Sequence, residues 1–582
     1  MKAALCVTAA CAAVALALSP AAAASRSTSG DAQLASIAAA YYQDEWRFSP
    51  GDATAAGVHD YDTQLARVDP ETFAREIYYL RTMLARVAEI PPAALSLDGQ
   101  VDRELLEDAI ELRLYDLETR PAWQNSPDFY VGVGSNSIFS VMARDFAPAE
   151  KRLVLVIGRE RRIPAMLEQA EKNLDPAQIS AIAAQVGSDD AVGAASFLRG
   201  DVALAFRGVG TPSLQRQFKS STAQAAAAYT QYASFIKTAI APNAHASFAI
   251  GRVAYSYLER LQNVAQIPLS KLLTVGQANL AKDRAAFITT ARRINPKQTP
   301  QQVMASLQAD HPSADQLFAS AQADLVTLVD FIKSHTIIDL PDAPIAKVVP
   351  TPQFERQFTF ASMDSPGPLE TKATQAYYNI TPVEPSWTQT EKDQHLAFFN
   401  RYQIMIVSAH ETYPGHYVNY LFNKRAKLSL IRKMEWNNAF GEGWAHYDEQ
   451  MMVDEGLGGG DPRYRLAQLS GALLRDCRYV VGIKEHTQGM TIDQATQFFE
   501  DNAFVGREPA HREAVRGTQD PLYGYYTLGK LMLLKLRADE QRKMGAAFSL
   551  SAFHDALLSH GDPPIYYLRK LLLGANDNGS LL

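Results

Sequence analysis

The chain has 582 residues, 47% of them hydrophobic and 20% charged, with 56 Lys and Arg against 63 Asp and Glu for a formal net charge of -7. This is an ordinary globular composition with a mild acidic excess and no basic block, which disfavours nucleic acid and anionic membrane surfaces as partners. Past the first residues, no segment reaches the ~20 uncharged apolar residues that a membrane-spanning helix needs.

Met1 to Ala24 reads as a secretory signal peptide: Lys2, an apolar run through Leu18, then Pro20 and a row of alanines ending in a small-residue cleavage site before Ser25. Cys6 and Cys11 fall inside it without a convincing lipoprotein cleavage sequence. A periplasmic or secreted soluble protein is therefore expected, with no stable membrane insertion after cleavage. Cys477 is then the only thiol left, so no internal disulfide is possible.

From Asp31 to about Gln266 the pattern is helical, with apolar residues three and four apart in stretches such as Val101 to Leu117 and Ala223 to Ile240. Pro121, Pro127, Pro148, Pro164, Pro176 and Pro212 mark helix boundaries. Leu269 to Asn295, Thr299 to Ala309 and Ser313 to Ser334 continue the pattern, and no repeat of fixed period is present. His59, His245, His311 and His335 are isolated and read as structural or surface histidines. Between Ile337 and Trp387, eight prolines break any helix, while Phe354 to Ala361 and Thr374 to Ile380 favour short strands. Such strands could hold an extended peptide by main-chain hydrogen bonds; a proline-rich connector is the alternative.

The chemistry concentrates between His410 and Gln450. The first motif is His410-Glu411-Thr412-Tyr413-Pro414-Gly415-His416. Two imidazoles plus a carboxylate are the ligands of a hydrolytic zinc site, with a fourth position for water and a free carboxylate to take its proton. In the HExxH arrangement the histidines lie four apart and share one helix face. Here they lie six apart, which on a regular helix points them about 120° away from each other. Pro414 removes a helical hydrogen bond and Gly415 admits unusual backbone angles. A bulge after Tyr413 that returns His416 to the face of His410 is expected, and a helix ending at Pro414 is the alternative. On the next helix, Glu442, His446 and Glu449 lie at i, i+4 and i+7, on one face. Glu442 is the first choice for the third ligand and Glu449 the second, with His446 as an outer partner. Glu411 is the expected general base.

These two segments, HETYPGHYVN and EGWAHYDEQM, resemble those of the bacterial domain-of-unknown-function family 885, which carries HExxPGH and EGWA-type motifs. The likeness continues through Glu485 to Thr491, Tyr525 to Lys530 and Phe553 to Leu558. That family is similar to the gluzincins, zinc peptidases with a glutamate ligand and a helical shell around a deep channel. The resemblance implies one Zn2+ and places Tyr526 and His486 in the half that closes over the site, as candidate donors to the developing oxyanion. Family members often carry an acidic residue four before this histidine, where this chain has Gly482. Arg516 could pair with a substrate carboxylate or with Glu513.

The expected fold is mainly α, a large helical shell around a deep catalytic channel with a small β element near residues 350–385. The expected parts are a signal peptide (1–24), an N-terminal helical region (25–350) and a C-terminal zinc-site catalytic region (351–582) that forms one compact unit with the preceding region. The expected function is an exported zinc-dependent hydrolase, a metallopeptidase acting on oligopeptides. A hydrolase of a non-peptide amide or ester, and a binding protein with a structural or lost metal site, are the alternatives.

Overall fold

Proline sets where many helices begin, because the first helical residue has no intrahelical use for its N–H. Pro127 and Pro212 open helices, Pro164 is the second residue of another, Pro176 opens a 3-10 turn, and Pro121 and Pro148 occupy cap positions. The computed structural model describes residues 28–262, 267–353, 356 and 359–582. The segment expected to be a signal peptide, with Cys6 and Cys11, lies outside them. Twenty-six α-helices and three four-residue strands make up the described chain, and no described helix is long and apolar enough to cross a membrane. The helical runs expected at Val101 to Leu117 and Ala223 to Ile240 both end in π-helical turns, Tyr115–Thr119 and Ile236–Ile240.

Apolar side chains gather into two cores. One draws on residues between Leu34 and Ala244, joined by Ala373, Ile431 and Tyr567. The other takes Tyr115, the helices from Tyr255 onward and most of the C-terminal part. The cores thus divide near residue 250. The helices between 251 and 335 bury their apolar stripes against the site-bearing helices, so they belong with the second core.

Strands β1 (Lys347–Pro350), β2 (Ala361–Asp364) and β3 (Tyr377–Ile380) form one sheet in the order β1-β3-β2, with β3 parallel to β1 and antiparallel to β2. The proline-rich stretch is therefore more than a connector. The expected strand over 354–361 meets β2 only at Ala361, and residues 354, 355, 357 and 358 are outside the described set. Central Tyr378 receives a hydrogen bond from Ser408 at 3.3 Å, which sets the sheet behind the first motif helix. The outer side of β1 is partly closed by Gln322, which bonds Ala346 O and Val348 N.

Seven helices build the site: α1 (Leu269–Ile294), α2 (Arg401–Glu411), α3 (His416–Arg425), α4 (Asn438–Asp454), α5 (Pro462–Thr487), α6 (Arg507–Gln519) and α7 (Tyr525–Met544). Side chains of Asn400, Asn437 and Asp461 accept backbone N–H bonds at the starts of α2, α4 and α5, satisfying donors the helices leave free. α4 and α7 approach backbone to backbone: a Cβ at Gly529 would fall 1.7 Å from Ala439 O, and one at Gly443 would fall 2.6 Å from Gly529. Buried Asp476 of α5 accepts from Asn279 of α1 at 2.9 Å and Thr527 of α7 at 2.8 Å, tying three helices together where a lone carboxylate would be costly.

Candidate metal centre

The chain turns between α2 and α3 over Thr412 to Gly415, with a cis Tyr413–Pro414 peptide. Pro414 has no N–H to give. Gly415 N–H reaches Ala409 O at 3.0 Å and Val418 N–H reaches Thr412 O at 3.3 Å. Each bond spans six residues instead of the helical four, so the backbone takes up two extra residues here. The bulge expected inside one helix is corrected to a break: α2 ends at Glu411 and α3 starts afresh at His416. Gly415 passes so close to α2 that a Cβ would lie 1.7 Å from His410 O. Trp444 of α4 donates to Pro414 O at 3.1 Å and pins the turn to the second motif. The two imidazole centroids stand 4.9 Å apart with ring planes at 87°.

Glu442 of α4 completes the group. Its Oε2 lies 3.5 Å from His410 Nε2 and 3.4 Å from His416 Nε2, and one donor atom from each residue falls within 4.8 Å of the others. Zinc bonds of about 2.0–2.1 Å at a tetrahedral angle set donor atoms roughly 3.3–3.4 Å apart. Two edges of such a tetrahedron are thus present, and Oε2 makes no hydrogen bond of its own. The donor set fits zinc. His410 is buried, while the His416 and Glu442 side chains keep 15% and 20% exposure, so the group is reachable from solvent.

Glu449 lies on the other side of His410. Its Oε1 sits 2.8 Å from His410 Nδ1 and 3.1 Å from Arg475, and its Oε2 is 3.3 Å from His446 Nδ1. It therefore fixes the ring that Glu442 faces and does not join the donor group. Burial works against its negative charge, but Arg475 and the two histidines hold its carboxyl well below the usual range. Burial and Lys530 keep His446 neutral. For His410, burial and Arg475 pull the pKa down, yet the carboxylates at both ring nitrogens outweigh them and bring it to about 9. Such a field favours a cation at Nε2. Replacing Glu449 by Gln should weaken zinc affinity about 10–100-fold while the fold persists. Titration against a chromogenic chelator measures this, and an unchanged affinity would remove Glu449 from the orienting role.

Glu411, the last residue of α2, is half-buried beside the group. Burial raises its pKa, with His410 and His416 opposing and Glu442 reinforcing the rise. Tyr526 at the start of α7 stacks on His410 with centroids 6.4 Å apart, and its hydroxyl accepts from Arg516 at 3.3 Å. Glu513 pairs with Arg478 at 2.6 Å and not with Arg516, which reaches Asp520 at 3.5 Å.

His486 is placed differently from the expectation. Its Nδ1 accepts from Ile250 N–H at 3.3 Å and its Nε2 donates to Gly517 O at 2.8 Å. Burial lowers its pKa to about 4. Both nitrogens of the neutral ring are engaged by backbone, which corrects its assignment as an oxyanion donor. Position 482 has no room for the family's acidic residue either, since a Cβ there would lie 2.7 Å from Pro521 O.

Sequence reasoning missed two groups. Arg475 anchors Glu449, and only the helical register of α5 against α4 brings them together. Asp562 accepts from Asn419 at 2.7 Å and Asn423 at 2.6 Å. It is buried, with a pKa raised by that burial to about 6 against the pull of both amides and of His416. His416, Asn419 and Asn423 share one face of α3, the single signal in the sequence that a carboxylate lies across from it.

A family model described as a bacterial protein of unknown function, DUF885, matches residues 50–572. No curated protein matches. A solved structure described as a putative lipoprotein of unknown function from Shewanella oneidensis is 24% identical with a TM-score of 0.76, over 93% of this chain and 99% of its own. Another putative lipoprotein, from Colwellia psychrerythraea, is 18% identical with a TM-score of 0.79, over 94% and 99%. At these identities the likeness establishes a shared fold. With the family match running through the HETYPGH turn, the EGWAH helix and nearly all the rest, the chain belongs to the bacterial family of unknown function DUF885.

Proposed function

We propose that this protein is an exported zinc-dependent hydrolase, a metallopeptidase that cleaves oligopeptides. The supporting observation is the donor group itself: His410, His416 and Glu442 converge, with Glu442 Oε2 3.5 and 3.4 Å from the two imidazole nitrogens, and a separate carboxylate, Glu411, adjoins them. A structural zinc is closed by four protein ligands, whereas three leave room for water. When bound, zinc polarises a carbonyl and makes water acidic enough to attack at neutral pH.

The protein's groups divide the remaining work. Glu449 and His446 hold His410 in one orientation. Glu411 accepts the proton of the attacking water and returns it to the leaving amine. The Tyr526 hydroxyl accepts from Arg516, which leaves its own hydrogen free for the developing oxyanion. Burial and Glu442 raise its pKa, with Arg516 and Arg478 opposing, so the phenol stays protonated. The signal-like N-terminus and the lipoprotein description of the structural relatives support an exported place.

Anomalous scattering at the zinc edge, with a ligand count, tests the metal. Zinc-loaded protein is then incubated with a mixed peptide library and with a folded protein, and products are read by mass spectrometry. Peptides are expected to be cut and the folded protein spared, since only thin substrates reach a recessed site. Rapid cutting of the folded protein would overturn the recessed site. Cleavage of neither, with an open coordination position, would move the assignment to a non-peptide amide or ester.

A further inference from the structure

Three guanidinium groups surround the Tyr526 ring, Arg475 and Arg478 at 5.3 Å and Arg516 at 6.0 Å. Two are already committed. Arg478 forks onto both oxygens of Glu513 at 2.6 and 2.7 Å, and Arg475 is held by Glu449 and Gly471 O. Arg516 differs. Its contacts are long, 3.3 Å to the Tyr526 hydroxyl and 3.5 Å to Asp520, and its side chain is 36% exposed. Asp520 is itself shared with the Tyr525 hydroxyl at 3.0 Å. A guanidinium presents five N–H donors in a planar fork, so two long contacts leave an edge free for another carboxylate.

The Tyr526 ring also fixes the reach. The His410 ring lies 6.4 Å from it and the Arg516 guanidinium carbon 6.0 Å, which bounds their separation at about 12 Å. An extended chain advances roughly 3.3–3.6 Å per residue. Roughly three to four extended residues span that distance, so in an extended substrate a carboxylate on Arg516 stands about that far along the chain from a carbonyl at the donor group. The middle of a peptide has no main-chain charge at that distance; its C-terminus has one.

We propose that Arg516 receives the C-terminal carboxylate of the substrate, so that the site removes short fragments from the C-termini of peptides. This rests on the hydrolase reading above. In the step itself the oxygen of water joins the acyl carbon, the C–N bond breaks, and the proton held by Glu411 goes to the departing amine of the C-terminal fragment.

The test uses full-length zinc-loaded protein and separates recognition from turnover. Glu411→Gln protein is titrated calorimetrically with matched peptides ending in a free acid, in an amide, and in an amide preceded by Asp. The free acid is expected to bind at least roughly tenfold more tightly than the plain amide. Adding Arg516→Gln should erase that preference, and Arg516→Lys should restore part of it. In the parent, Arg516→Gln should raise KM for free acids more than it lowers kcat, and mass spectrometry should find only C-terminal fragments released. Equal binding of acid and amide would overturn the subsite. Tight binding of the Asp-bearing amide would overturn the C-terminal assignment in favour of an acidic side chain. An Arg516-dependent preference for the free acid without any cleavage would keep the subsite and sink the hydrolase.

Discussion

Glu411→Gln protein is expected to keep its zinc and to lose hydrolysis by about 10²–10⁴-fold. Glu411 is outside the donor group formed by His410, His416 and Glu442, so an amide of the same size leaves the three candidate donors in place. It also leaves the end of α2 intact, because Glu411 is its final residue and the turn that follows is held by backbone bonds from Gly415 and Val418. What the amide cannot do is accept a proton. His410→Ala makes the contrast: there metal and activity should disappear together, since Glu449 and Glu442 would face each other with no imidazole between them. Metal content by mass spectrometry and turnover of the cleaved peptides read both variants. A Glu411→Gln protein as active as the parent would show that another group takes the proton.

Residue spacing alone revealed that His410 and His416 cannot share a regular helix face, and that two residues must be absorbed between them. It did not reveal how. Pro414 and Gly415 are compatible with a bulge or a break, and the choice depends on Trp444, thirty residues on, which fastens Pro414 O and leaves α3 free to start at His416. Helical phase likewise put Glu442, His446 and Glu449 on one face of α4, with Glu442 preferred to Glu449 as a ligand and His446 outside, but it could not say which side of the His410 ring each would meet. That is a matter of how α4 crosses α2. His486 misled because a histidine after a helical run looks the same in sequence whether its nitrogens face a cleft or two backbone groups, Ile250 N–H and Gly517 O.

The fold was more legible where local rules govern it. Each of the six prolines marked as a boundary lies at a helical start, because a missing N–H costs nothing there. The β element was less so. Lys347–Pro350 is four residues ending in proline, too short for alternation to show, and its pairing with β3 across some thirty residues is tertiary. Asp562 was barely legible: the shared α3 face of Asn419 and Asn423 asks for a polar partner, but the carboxylate that answers lies 143 and 139 residues away in sequence.

The other large effect is expected at Gly415. In Gly415→Ala the new methyl would be built 1.7 Å from His410 O, and 2.6 Å from Ala409 O. Both are backbone atoms at the end of α2, so no side chain can swing aside to make room. The turn must move away from α2, and the anchor at Pro414 O resists, since Trp444 is fully buried. Overpacking of this kind costs about 1–3 kcal/mol of stability, read as a lower urea midpoint at unchanged slope. The sharper consequence is at the metal. His410 and His416 sit on opposite sides of the turn, and their nitrogens meet Glu442 at separations that a shift of a few tenths of an ångström spoils. Zinc affinity should therefore fall further than stability does. Gly132→Ala is the control, a mid-helix site where the nearest atom to a new methyl is 3.7 Å away. There alanine should stabilise by up to about 1 kcal/mol through its helix propensity and leave zinc binding untouched. If Gly415→Ala bound zinc as the parent does, the turn would be wider than the 1.7 Å approach requires, and the two-helix route to a shared metal would fail.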